Sequence, residues 1–227
     1  MSKEIQQIEL SNDPLVWDKL KAKEIALLVA CEEWISGSNK IHPLIGEMPT
    51  NIDLRIGHWQ LMPIYGKSSD SEFFRRMANG LFNINARLRP MDRLELQTEP
   101  DLWHDLWNHT PLLVNEEISH LMRSMALVAT MSKDSVFTKQ VGNLWWSTFE
   151  FGGILENNRV VAYGAGILSS RQESLEFMNV TTKHREFDLS EILETKYPIE
   201  GFQDTYWILK DWNQLREAVI KLWSYIN

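Results

Sequence analysis

Apolar positions along the chain follow a helical period more often than an alternating one. Behind an Asp13-Pro14 start they recur at Leu20, Leu27, Leu28, Cys31, Trp34 and Ile35, and Gly37 ends the run. Proline suits the first helical position and glycine the end, so this spacing predicts a helix between them. Trp59 to Ile64 predicts a short strand ended by Gly66. Asp70 is placed to cap a short helix carrying Phe73, Phe74, Met77 and Ala78, closed by Asn79-Gly80. Residues 83–97 read as irregular or extended.

Pro100 to about His109 predicts a helix that opens with acidic residues. Asn115 caps the next one, with Glu116 and Glu117 in its electropositive first turn. An aromatic-rich helical stretch follows from Ser135 to Glu150. Asn157-Asn158 signals a turn into a strand through Val160, Val161 and Tyr163. Gly164, Gly166 and Ser169-Ser170 form a tight connection into another helix, and Thr205 to Leu209 predicts a strand. Asp211 caps a last amphipathic helix through Leu215, Val219, Leu222 and Ile226, with Gln214 at the capping-box position. The fold class expected is mostly α with small β elements (α+β), and the pattern shows neither an internal repeat nor a low-complexity linker.

The 227 residues fit one domain, 1–227, and 44% apolar residues suffice for a core. A net charge of −8 without a Lys/Arg stripe excludes a nucleic-acid surface. The single cysteine, Cys31, cannot form an internal disulfide and suits a reducing compartment. No basic segment followed by an apolar stretch opens the chain, and no run of about 20 apolar residues exists. A cytoplasmic protein without membrane partners is expected. Ten tryptophans are many for this length, and such rings also suit a pocket for a flat ligand.

The segment EPDLWHDLWNHTPLL holds two histidines, His104 and His109, five residues apart. Five residues turn an ideal α-helix by about 140° beyond a full turn, so such a pair does not chelate easily from one face. It is either two ordinary histidines near a helix end, or two ligands reaching round a metal with a third from elsewhere. In LWWSTFEFGG one carboxylate, Glu150, stands within an apolar and aromatic run. It is either the solvent face of a helix end or a buried charge that needs a partner. Two histidines and a carboxylate would form a facial triad with open positions, the ligand set of Fe(II) oxygen chemistry.

These residues carry a family resemblance. EPDLWHDLWNHTPLL, TFEFG, YGAGILSS followed by Glu173, and FDLSEILETKYPIEGFQDTYWIL closely resemble the catalytic domain of the pterin-dependent aromatic amino acid hydroxylases, bacterial phenylalanine 4-hydroxylases in particular. The resemblance runs from about Phe73 to Trp212, with a fainter beginning near Trp17. It implies that family's catalytic-domain fold, Fe(II), O2 and a tetrahydropterin electron donor. It puts His104, His109 and Glu150 on the iron-ligand positions. Arg89 falls where the substrate carboxylate is gripped, which suits a guanidinium fork, and Asp101 would orient it. Gly66, Phe73 and Asp105 fall in the pterin-contact region. Trp146 and Phe151 would wall the aromatic pocket, with Thr98 and Pro100 on its rim. Gly166 and Ser169 would line the floor, Ser169 bonding a ligand histidine or the substrate, and Glu173 would support that loop. His42, His58, His120 and His184 lie outside these motifs and read as surface or packing residues.

The sequence departs from the family pattern at Leu96, Asn108, Trp145, Ser147 and Phe149, where the family has tyrosine, glycine, tyrosine, a larger residue and a smaller aliphatic one. The expected function is hydroxylation of an aromatic, phenylalanine-like amino acid with O2. The alternatives are another aromatic amino acid or ring position, and a non-catalytic pterin or amino acid binding protein. The regulatory domain and tetramerisation helix of animal relatives are missing from the pattern, so a monomer is expected.

Overall fold

The structure is a computed structural model and describes residues 55–85, 89, 100–179, 181–198 and 201–226. The helix expected behind Pro14 lies outside them, with Cys31, His42, Arg87, Leu96 and Thr98.

Strand β1 (Arg55–Ile56) pairs antiparallel with β2 (Trp59–Ile64). Helix α1 (Asp70–Ala78) then carries the chain over to β3 (Leu81–Asn85), which runs parallel to β2 from Gln60↔Leu81 to Ile64↔Asn85. A parallel pair requires such a crossover. The helix cap sits one residue earlier than expected. Ser69 Oγ accepts from the Glu72 amide at 3.3 Å, and Asp70 falls in the first turn, where its charge meets the helix N-terminus. Gly80 closes α1 with φ +75°, a conformation that side chains resist.

The next helical run begins at Leu102 and passes through a π-helical segment, His104–His109, into α2 (Thr110–Val114). Asn115 Oδ1 accepts from the Glu117 and Ile118 amides and starts α3 (Glu116–Met131), as expected. Helix α3 runs through the core, with Met122, Met125, Ala126 and Val128 wholly buried. Helix α4 (Ser135–Trp145) continues without a break into a second π-helical segment, Trp146–Glu150.

Strands β4 (Gly153–Glu156) and β5 (Arg159–Ala162) form a hairpin. Its two-residue turn is Asn157-Asn158, both at positive φ (49° and 62°), as a type I′ turn needs. Short helices α5 (Ala165–Leu168) and α6 (Arg171–Met178) follow. Strand β6 (Lys183–Glu186), helix α7 (Leu189–Glu194), strand β7 (Thr205–Leu209) and helix α8 (Trp212–Trp223) complete the chain. The second sheet has the order β5-β4-β7-β6, with β7 parallel to both neighbours. Asp211 caps α8 by accepting from the Gln214 amide at 2.9 Å. Gln214 reaches back to the Lys210 amide rather than to Asp211 itself. The mostly helical α+β class is as expected. Among the described residues no helix is long and apolar enough to cross a membrane.

Candidate metal and cofactor site

The histidine pair that fits an α-helix poorly fits the backbone found here. His104–His109 is π-helical, and the bond after it runs from the Thr110 amide to the Asp105 carbonyl, five residues back. With i→i+5 bonding, residues five apart stand one above the other. His104 and His109 therefore share a face, their Nε2 atoms 3.1 Å apart. The second segment repeats the device. The Phe151 amide donates to the Trp146 carbonyl at 2.9 Å, again five back. Trp145 is thereby set over Glu150, and its indole N–H donates to Glu150 Oε1 at 3.1 Å.

The two segments bring three groups together. Glu150 Oε1 lies 3.0 Å from His109 Nε2, and Oε2 lies 3.3 Å from His104 Nε2. The three residues offer ligand atoms all within 4.8 Å of one another. Ligands about 2.1 Å from a metal and at right angles to one another stand roughly 3.0 Å apart. Each carboxylate oxygen stands at about that spacing from one histidine, and one atom from each residue lies close enough to the other two to share one cation. Two imidazole Nε2 atoms and a carboxylate cannot all satisfy one another as neutral donors and acceptors, whereas one cation takes a lone pair from each. Burial alone would raise the Glu150 carboxyl, but the charges of His109 and His104 and their hydrogen bonds outweigh it and hold it well below the usual range.

Each ligand candidate has a support. Ser169 Oγ stands 2.9 Å from His104 Nδ1 and fixes the ring. Asp101 caps the helical run, taking the His104 amide on Oδ1 at 2.9 Å. The same carboxylate holds Arg89, whose Nε and Nη2 donate to its two oxygens at 2.8 and 2.9 Å. The pair is buried, and Arg89 Nη1 also donates to the Ser169 carbonyl at 2.7 Å. Burial would raise the Asp101 carboxyl, but Arg89 and the two backbone amides hold it below its ordinary value.

A cavity of about 750 Å³ opens on the triad. Pockets for small ligands measure roughly 300–1,000 Å³. On one side it is lined by Gly66, Phe73, Asn85 and Asp105, on another by Trp146, Phe151 and Gly166. Phe73 stands edge-on to Trp145, 5.1 Å between centroids. Gly66 has φ +77° and its carbonyl accepts from Asn85 Nδ2 at 3.3 Å. Asn85 Oδ1 is buried without a hydrogen-bond partner among the described residues. Burial outweighs the pull of His109 and of the Asn85 amide and pushes the Asp105 carboxyl up to about 7. An unpaired acceptor beside an aromatic edge and a carboxyl fits a flat ring that carries N–H groups, as a pterin does.

Across the cavity Trp146 stacks on Tyr197 at 4.4 Å and 11° and donates from Nε1 to Gln203 Oε1 at 2.9 Å. Tyr197 accepts from Lys139 Nζ at 2.8 Å. Glu173, buried, takes the Tyr206 hydroxyl at 2.6 Å and the Gln203 amide at 3.2 Å, so it ties this wall to β7. Of the described residues expected at the site, His104, His109, Glu150, Gly66, Phe73, Asp105, Trp146, Phe151, Gly166 and Pro100 line this one cavity. Ser169 does not line the floor as expected; it is 2% exposed, and its hydroxyl is turned to the ligand candidate His104, the other role expected of it. Arg89 is buried beside Ser169, held by Asp101 and by the Ser169 carbonyl. Of the departures from the family pattern, only Trp145 lines the cavity among the described residues. Phe149 is wholly buried in the core, Ser147 is buried, and Asn108 bonds the Trp103 carbonyl. His58, His120 and His184 are exposed, away from the site. Sequence reasoning assigned no role to Asn85, Tyr197 or Gln203. Trp145 had a usable signal, the same five-residue spacing to Glu150 that separates the histidines.

The profile described as biopterin-dependent aromatic amino acid hydroxylase matches residues 29–227. The phenylalanine-4-hydroxylase of Chromobacterium violaceum is 30% identical over 217 residues, 92% of this chain and 73% of that protein. That of Ralstonia nicotianae is 30% identical over 214 residues, covering 91% and 68%. The crystal structure of the C. violaceum phenylalanine hydroxylase with bound iron(III) and oxidised cofactor 7,8-dihydrobiopterin matches with TM-score 0.68 at 32% identity, over 74% of this chain and 62% of that chain.

Proposed function

This chain belongs to the biopterin-dependent aromatic amino acid hydroxylase family, and we propose that it is an iron- and tetrahydropterin-dependent monooxygenase of a phenylalanine-like amino acid. The observation that carries this is the convergence of His104, His109 and Glu150 at the end of a cavity large enough for a pterin beside an amino acid. His104, His109 and Glu150 would hold the iron. An iron held there, with a reduced pterin as two-electron donor, would supply the chemistry that activates O2 for ring hydroxylation.

The chain's own residues supply place and orientation. Phe73 would face the pterin ring, and Asn85 Oδ1 and Asp105 would take its N–H groups, with Gly66 letting the backbone approach. Asp105, raised to about 7, is able to accept from such a ring or donate to it. Trp146 and Phe151, 4.8 Å apart, would wall the substrate ring. Arg89, fixed by Asp101, is proposed to anchor the substrate carboxylate, with Thr98 and Pro100 on the rim and Gly166 on the floor. Glu173 keeps the Gln203 side of the wall in place. Closing water out of this cavity strengthens every such contact.

A second reading keeps the chemistry and changes the substrate. Trp145, where the family pattern has tyrosine, lines the cavity beside Phe73 and the triad. A shift of the substrate ring by about 1 Å changes which carbon is attacked. L-phenylalanine would then be a poor substrate, or be hydroxylated away from the 4-position. Mass spectrometry of products from a panel of aromatic amino acids, with Fe(II) and tetrahydropterin, tests both readings. Pterin-dependent product from at least one of them is expected. No product and no pterin-dependent oxygen uptake with any of them would sink the proposal and leave a binding protein. Sole and fastest conversion of phenylalanine to 4-hydroxyphenylalanine would remove the second reading.

A further inference from the structure

We propose that Trp145 is a positioning residue for Glu150, its indole N–H holding Oε1 so that the carboxylate meets the metal through Oε2 alone and leaves a coordination position open. The inference rests on the triad being a metal site.

An indole N–H is a donor only, so a buried tryptophan needs an acceptor. Trp145 is buried, and the acceptor for its Nε1 is Glu150 Oε1 at 3.1 Å. The bond depends on the π-helical turn that follows α4. In a continuous α-helix a residue five positions on is turned by about 140°, out of reach of this indole. The π-helical turn Trp146–Glu150 brings it within 3.1 Å. The bond ends on a carboxylate, the kind of acceptor that makes a hydrogen bond shorter and stronger.

The ring's other contacts put it between the two halves of the site. It lies tilted beside His109, 5.8 Å between centroids at 34°, and meets the edge of Phe73 at 5.1 Å. Phe149 supports it from the core side at 4.7 Å. A carboxylate free to rotate would offer both oxygens to one cation and occupy a position that a reactant needs. Both oxygens face the histidines, Oε1 at 3.0 Å from His109 Nε2 and Oε2 at 3.3 Å from His104 Nε2, and a donor fixed on Oε1 weakens that one as a ligand and favours Oε2. Ligand orientation set in this way by an outer group is worth about 10–100-fold in metal affinity.

Two variants separate the N–H from the ring. Trp145→Phe keeps an aromatic ring against Phe73 and Phe149 and removes the donor. Site-specific replacement of Trp145 by benzothienylalanine keeps the full bicyclic shape with sulfur in place of N–H, and decides the matter if the phenylalanine variant folds poorly. The whole chain, stripped of metal, is titrated anaerobically with Fe(II), and separately with Co(II), whose visible bands report coordination number. Wild type is expected to bind one ion per chain. Both variants should bind Fe(II) about 10–100-fold more weakly, with altered Co(II) bands. Equal Fe(II) affinity and identical Co(II) bands in the variants would overturn the role of Trp145 while leaving the metal site standing. Wild-type protein that binds neither ion would overturn the metal site and this inference together.

Discussion

In His104–His109 and in Trp146–Glu150 the backbone makes the same i→i+5 departure from the α-helix, and each aligns two side chains five residues apart. What they align differs. The first segment presents two like groups, whose Nε2 atoms at 3.1 Å bond each other only in opposite tautomers unless something else holds them. That something is distant in sequence: Ser169 Oγ on His104, and the Asp101–Arg89 pair under the start of the helix. The second segment presents a donor and an acceptor, Trp145 and Glu150, which hold each other. The histidine rings are therefore set by a long-range partner, Ser169, whereas the Glu150 carboxylate is held by a residue of its own helical run, Trp145.

The largest effect should come from breaking the triad itself. A His104→Ala, His109→Ala double variant is expected to retain no iron and no activity, measured as iron per chain after purification. Iron at the wild-type level would remove these residues from the metal site. Next is the distant support of the histidine half. Arg89→Ala strands the buried Asp101 carboxylate and should cost about 3–5 kcal/mol of stability, read from urea unfolding. A cost under about 1 kcal/mol, the value of an exposed pair, would show that the pair does not hold this corner. Ser169→Ala removes the hydroxyl from His104 Nδ1 and should weaken Fe(II) binding about 10–100-fold with little change in folding. If Ser169→Ala leaves affinity untouched while Trp145→Phe reduces it, the contrast between the two halves is reversed.

Smaller effects sharpen the picture. Phe73→Ala should raise the apparent KM for the pterin by about 2–13-fold, the equivalent of roughly 0.5–1.5 kcal/mol for an aromatic contact. An unchanged KM would move the pterin off this wall. The smallest effect is on acid stability. Asp101 is held below its ordinary value of 3.8, so the folded state releases this proton more readily than the unfolded chain. The stability that follows is present above the unfolded value and is lost as pH falls through the lowered folded value. Wild type should therefore lose more stability than Asp101→Asn on acidification below about pH 4. Parallel curves for the two proteins would contradict the assignment.

Much of the fold was readable because it is written locally. Trp59–Ile64 and Thr205–Leu209 carry strand-forming residues bounded by breakers, and Asn115 and Asp211 cap helices through their own side chains. Strand β6 was not readable. Its sequence, Lys-His-Arg-Glu, is polar and exposed throughout, and only backbone pairing with β7 makes it a strand. Strand β3 hides behind a short polar-apolar mix, Leu-Phe-Asn-Ile-Asn, that the crossover from α1 places beside β2. The triad was legible as residue types and order, but the five-residue histidine spacing argued against it under ideal helical geometry.

By itself the sequence determined the Asn115 and Asp211 caps, the hairpin turn, the three candidate ligands and the family, because each depends on residue type and on neighbours a few positions away. Only the tertiary structure decided that two stretches of helix would open into π-turns. An i→i+5 turn gives up regular bonding, and it persists where contacts from outside the helix hold it open. Ser169, 65 positions from His104, and Asp101 with Arg89 supply such contacts to the first turn. Tyr197 and Gln203, more than 50 positions from Trp146, supply them to the second. Spacing along the chain names the atoms that could meet a metal, and packing between distant segments sets which of them do.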